Sequence, residues 1–133
     1  MTDAPWADDA CSLVDAFRAG ERSPLEELDA TLAAIEASDL NCFSFLDPER
    51  ARAAATRADL SLPFGGVPTA IKELETVEGW PQTGASLVFK DRIGDHTDTH
   101  IAALLDQGGA VPVGMTTASE FGGLNVSVTR LNG

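Results

Sequence analysis

Apolar residues in the first half of the chain recur at helical spacing. Leu13, Val14 and Phe17 share one face of a helix predicted over residues 9–19, and Gly20 stops it. Ser23-Pro24-Leu25-Glu26 signals a second start, with serine to cap, proline at the first helical position and glutamate to close a capping box. Leu25, Leu28, Leu32 and Ile35 then repeat down to about Ser38. Asn41 to Leu46 is short, apolar and partly aromatic, which fits a strand or an extended connector. Asp47-Pro48 opens a third helix through an alanine-rich stretch to about Asp59.

The pattern changes at Leu62-Pro63, after which Gly and Pro punctuate short apolar runs. Val67 to Ile71 reads as a buried strand, although Pro68 fits a strand start or an edge best. Gly79–Gly84 is a loop. A helix is predicted over Asp98–Gln107, with Ile101, Leu104 and Leu105 on one face and Gly108-Gly109 at its end. Ala110–Gly114 is a second buried strand. Thr117-Ala118-Ser119-Glu120 has the form of a capping box and predicts another helix start, and residues 122–133 carry no strong pattern. A helix between two buried strands implies a right-handed crossover and parallel pairing. A buried parallel sheet needs more strands and helices on both faces, so the order reads as the beginning of an α/β domain.

The 133 residues carry a net charge of −12 and a pI near 4.3. That acidity is expected to be a solvated surface, and it argues against a nucleic-acid partner, which needs a basic face. No apolar run is long enough to span a bilayer. Met1–Pro5 lacks the basic and apolar regions of a secretory signal, so the expected location is cytoplasmic and no membrane partner is expected. Cys11 and Cys42 have no metal-ligand spacing and are expected to be reduced and buried.

Only two lysines occur, Lys72 and Lys90. Lys72 ends the apolar run Val67–Ile71. Burial there would disfavour its charged form and suit it as a general base for a serine, the Ser-Lys variant of the serine–base pair. The alternative is a stem lying along the strand, with the ammonium in water or paired with Glu73 or Glu75. Lys90 lies in a polar context beside Asp91. His96 and His100 are four apart, but the glutamate often found within a helical zinc pair is absent, so cap and surface roles are expected and no metal. The glycines between Gly108 and Gly114 bracket a strand and lack a following lysine with serine or threonine, so they form no phosphate loop. Ser86 falls in a Gly-rich loop and Ser119 in the predicted capping box.

Together these segments resemble the N-terminal part of the amidase signature family of serine hydrolases. "AGERSPLEELDATLAAIE" is similar to the family's first helices, and "LNCFSFLDPERARAAA" to its next strand and helix. The most specific stretch is "GGVPTAIKELETVEGWPQTGAS", similar to a strand, lysine and acid followed by a Gly-Pro-Thr loop ending in serine. "THIAALLDQGGAVPVGMTTASEFGG" resembles the helix, strand and Glu-Phe-Gly turn that follow. Met115 and Thr117 depart from the lysine and asparagine usual at their positions, Gln82 from a threonine, and Glu73 is one methylene longer than the frequent aspartate.

The resemblance implies an α/β fold with helices on a mixed, partly parallel sheet that is incomplete in this chain. It implies one partial domain over 1–133, with N-terminal helices and connector over 1–61 and the start of a catalytic core over 62–133. It implies that Lys72 is the general base of a Ser-cisSer-Lys triad acting on a small-molecule amide through an acyl-enzyme, with no cofactor. The family's Gly/Ser-rich segment, which carries both serines, does not occur in these residues. The expectation is therefore an N-terminal fragment that is inactive alone, whose uncovered strands favour self-association. The alternative is a non-catalytic protein that keeps part of the fold and binds a partner.

Overall fold

The computed structural model describes residues 4–133; Met1, Thr2 and Asp3, part of the stretch considered for a secretory signal, lie outside it. Two compact units are interleaved along the chain. The first takes the residues up to Asp39, Asp47–Thr69 and Ala103–Val113; the second takes Leu40–Leu46, Ala70–Ala102 and Gly114–Gly133.

Three capped helices build the first unit. In α1, Ala10–Ala19, the Asp9 side chain accepts the Ser12 N–H, and Gly20 closes the end in the left-handed conformation at φ 72°. Leu13, Val14, Ala16 and Phe17 form its buried face. In α2, Pro24–Glu36, the predicted capping box is complete: Ser23 accepts from Glu26 N–H and the Glu26 carboxylate accepts from Ser23 N–H. Helix α3, Pro48–Thr56, is capped by Asp47 and buries Ala51 and Ala55. It packs against α2, with Arg52 and Asp29 paired at 2.8 Å on the solvent side. Glu27, on the buried face of α2, receives the Trp6 N–H at 3.1 Å and the Arg22 guanidinium at 2.7 Å.

Strands β1 (Phe43–Leu46), β2 (Pro68–Lys72) and β3 (Val111–Thr116) pair in the order β1-β3-β2. β1 runs antiparallel to β3, with Phe45 opposite Met115 and Leu46 opposite Gly114, and an irregularity lies between Phe43 and Phe45. β2 runs parallel to β3: Val111 N–H donates to Val67 O, and farther along Glu73 N–H donates to Thr116 O. The sheet is therefore mixed, as the resemblance implied. β3 is buried from Val111 to Met115, whereas Ile71 alone is buried in β2. The expectation of a buried β2 is corrected, because β2 is an edge strand here, with Pro68 at its start where a missing N–H costs no ladder bond.

Three further expectations change. The predicted helix over 98–107 is regular only over α4, Thr99–Ala102, and then widens into a π-helical turn at Ala103–Gln107, where Gly108 N–H reaches back to Ala103 O. The predicted helix start at Thr117–Glu120 gives one 3₁₀ turn, Glu120–Gly122. Its capping box does not close, because the Thr117 hydroxyl turns to Cys42 O and the Glu120 carboxylate accepts from Ser86. Cys11 and Cys42 are free, as expected, but exposed rather than buried. No helix of the described residues is long and apolar enough to cross a membrane.

Candidate functional site

All the side chains singled out for chemistry lie in the second unit. Lys72 is the last residue of β2, between buried Ile71 and buried Glu73, and its own side chain is exposed. Strand alternation accounts for this: neighbours at odd spacing leave opposite faces, so the apolar run before Lys72 covers Ile71 but not the ammonium. Among the described residues Lys72 makes no hydrogen bond and no ion pair. The alternative partners are otherwise engaged, Glu75 with His100 at 2.9 Å and Glu73 with backbone and amide donors. Lys90 is exposed and paired with Asp91 at 2.6 Å.

Glu73 is the polar hub that sequence reasoning missed. It is 3 % exposed. Its carboxylate accepts the Ala118 N–H at 2.6 Å and the Asn132 side-chain amide at 3.0 and 2.9 Å, while its own N–H donates to Thr116 O. The carboxylate thus ties the lysine-bearing strand end to the turn after β3 and to the 129–133 turn. An acid beside a strand lysine was legible; its partners, 45 and 59 residues away, were not.

Ser86 is 1 % exposed. Its hydroxyl donates to Glu120 at 2.5 Å and accepts the Val88 N–H. Phe121 N–H donates to Gly84 O, and the Phe121 ring stands edge-on to Phe89 with centroids 6.0 Å apart. Both loops hold a non-glycine residue in the left-handed region, Ala85 at φ 60° and Phe121 at φ 53°. Such conformations cost on the order of 1–3 kcal/mol and cluster where a loop must present something specific. Ser119 is bonded to Leu124 and shows no base beside it.

The two histidines do not share a helix face, because His96 precedes α4; no metal-binding group of three ligands exists among the described residues. They pair instead with carboxylates around the segment after Lys72. Asp98 accepts the Thr76 N–H at 2.6 Å and donates its own N–H to Thr76 O, and Thr97 accepts the Glu78 N–H. The Thr76 bond, the largest influence, holds the Asp98 carboxyl below its ordinary 3.8, against a smaller opposing effect of burial. The Asp95 hydrogen bond raises His96 above its ordinary 6.5. The signs then fix a pH window. A depressed carboxyl contributes stability that is lost as pH falls through its folded value; a raised histidine contributes stability that is lost as pH rises above 6.5. The Thr76–Asp98 clasp is therefore expected to hold best between those limits. Amide NMR should show Thr76 titrating below pH 3.8 with Asp98, and ring carbons should place the His96 midpoint above 6.5. Midpoints at the ordinary values would mean that the clasp does not hold in solution.

Comparison with known proteins agrees with this layout. Residues 26–130 match the family described as Amidase. A glutamyl-tRNA(Gln) amidotransferase subunit of Lachnospira eligens is 36 % identical over 121 residues, covering 84 % of this chain and 25 % of that protein. The corresponding subunit of the Methylacidiphilum infernorum enzyme is 38 % identical over 103 residues, covering 76 % and 21 %. The chain thus spans about a quarter of the length of these relatives. Among solved structures, 6-aminohexanoate cyclic dimer hydrolase in complex with substrate superposes with a TM-score of 0.85 at 26 % identity, covering 95 % of this chain and 27 % of that one. The native peptide amidase from Stenotrophomonas maltophilia, 24 % identical with a TM-score of 0.81, shares the fold over 96 % of this chain and 29 % of its own.

Proposed function

The chain belongs to the amidase family, and from that premise we propose that it is the lysine-bearing part of a hydrolase that cleaves carboxamide bonds through an acyl-enzyme, with Lys72 as general base. The observation that carries this reading is the position of Lys72. Among the described residues its ammonium is unpaired, at a strand end whose backbone is fixed by the ladder bond from Glu73 to Thr116 and by the buried carboxylate beside it. A protonated ammonium is donor-only and has no lone pair with which to take up a proton. To act as a base it must be desolvated or share its proton with hydroxyls, and the serines that would do so are the pair in the family's Gly/Ser-rich segment. No Gly-Gly-Ser-Ser-Gly-Gly-Ser run occurs in these 133 residues.

The 133-residue chain alone is therefore expected to show no amide turnover, since acyl transfer needs both an attacking group and an oxyanion hole. Ammonia release from a panel of small amides, with and without the chain, checks this. Turnover that Lys72→Ala abolishes would mean that the chain carries its own nucleophile. The second reading, part of an amidotransferase assembly working with partner chains, rests on the 36 and 38 % identity to the two amidotransferase subunits. The acidic composition is in keeping with the absence of a nucleic-acid surface of its own. A non-catalytic binding protein remains the competing class. A monomer in sedimentation with a single sharp melting transition would favour it.

A further inference from the structure

The Asn132 side chain is itself a primary carboxamide, and it is held like a ligand. Its Nδ2 donates to both oxygens of Glu73, at 3.0 and 2.9 Å. The receiving carboxylate is oriented independently of Asn132 by the Ala118 N–H at 2.6 Å. An ionised carboxylate only accepts, so it selects the –NH₂ end of an amide over the carbonyl end. The turn that presents Asn132 is closed by paired backbone bonds between Thr129 and Gly133, and the Asn132 backbone carbonyl accepts from Asn41 Nδ2 at 2.8 Å. Beside it lies a cavity of about 160 Å³ whose walls include Ser44, Glu73, Thr83, Lys90, Met115 and Asn132.

We propose that the Glu73 wall of this cavity is a binding site for a primary carboxamide, and that Asn132 occupies it as an internal ligand. The site is separate from that proposed for the base: Lys72 is exposed while its neighbour Glu73 is buried, so the two side chains leave the strand in opposite directions. It stands whether or not Lys72 is a base. The chemistry is recognition only, by an amide N–H shared between the two oxygens of one carboxylate, with no bond made or broken in the ligand. A tertiary amide of similar shape lacks the donors and would leave the buried carboxylate underused.

Asn132→Ala in the full 133-residue chain tests this by replacing the internal ligand with an external one. The variant should melt several degrees below the unmodified chain. Acetamide should restore most of that loss and saturably shift the Ala118 amide resonance. N,N-dimethylacetamide should bind at least about tenfold more weakly, the loss expected for hydrogen bonds to a charged group. The unmodified chain, with its site filled, should respond to neither. Adding Glu73→Gln to the variant should erase the discrimination, because a neutral amide offers either end. Should Asn132→Ala not fold unaided, refolding yield in acetamide against dimethylacetamide reads the same difference. Equal effects of the two amides, or no saturable effect of acetamide, would show that Asn132 is a packing residue and overturn the proposal.

Discussion

In the whole protein, Lys72→Ala should lower turnover by a factor of about 10²–10⁴, the usual contribution of a positioned general base. The fold should be nearly unaffected, because the side chain is exposed and no described residue bonds to it. Lys72→Arg should fail as badly. Arginine keeps charge and reach, but its guanidinium stays protonated and cannot accept a proton. The loss should fall on acylation and appear in kcat more than in KM. Lys90 is the internal control: it is exposed and already paired with Asp91, and Lys90→Ala should leave turnover near normal. Pre-steady-state acylation of an activated amide separates these outcomes. Near-normal turnover in Lys72→Arg, or greater damage from Lys90→Ala, would assign the base elsewhere.

A large loss of stability is expected at Gly114, in the middle of β3. A Cβ built there would lie 2.2 Å from the Phe45 carbonyl oxygen and 2.9 Å from Leu46 Cα. Both are backbone atoms of the paired strand β1, so neither can swing aside as a side-chain tip would. Admitting one methyl means parting β1 from β3. The cost should exceed the roughly 1–3 kcal/mol of ordinary overpacking, and the melting temperature should fall by on the order of 10 °C or more. Gly123→Ala is the matched control, with an ordinary 3.6 Å contact as its nearest neighbour and no left-handed backbone to strain. It should change stability by no more than about 0.5 kcal/mol. Thermal unfolding followed by circular dichroism decides the comparison; a Gly114→Ala chain that melts like Gly123→Ala would show that the strands can separate without cost.

Features set by near neighbours were the most legible in the sequence. Caps at Asp9, Ser23 and Asp47 act within three residues, and they placed the starts of α1, α2 and α3. The run through Val111 and Val113 identified β3, because a strand buried on both faces is apolar at every position. Features set at a distance were not legible. Ile71, Lys72 and Glu73 have alternating fates that depend on what covers each face of β2, and a run of apolar letters does not say which face is open. The Thr117–Glu120 capping pattern was present in the sequence, but Cys42 and Ser86, distant in the chain, engage its two side chains. Lys72 stood out by its scarcity and by the apolar run before it, whereas Glu73 and Asn132, far apart in the chain, meet only in three dimensions.

The strand order also sets a timetable for synthesis. β1 and β2 each have β3 as their neighbour, and β3 begins at Val111. A nascent chain that has released β1 must be extended by sixty-five residues, from Leu46 to Val111, before any sheet can form. At bacterial to eukaryotic elongation rates this is a wait of roughly 3–13 s. The capped helices can form at once from local bonds, but Phe43, Phe45 and Ile71 must remain unpaired through that interval. The vulnerable species is thus a helical intermediate with two strands and no sheet, and a pause in translation shortly before Val111 would prolong its exposure to aggregation.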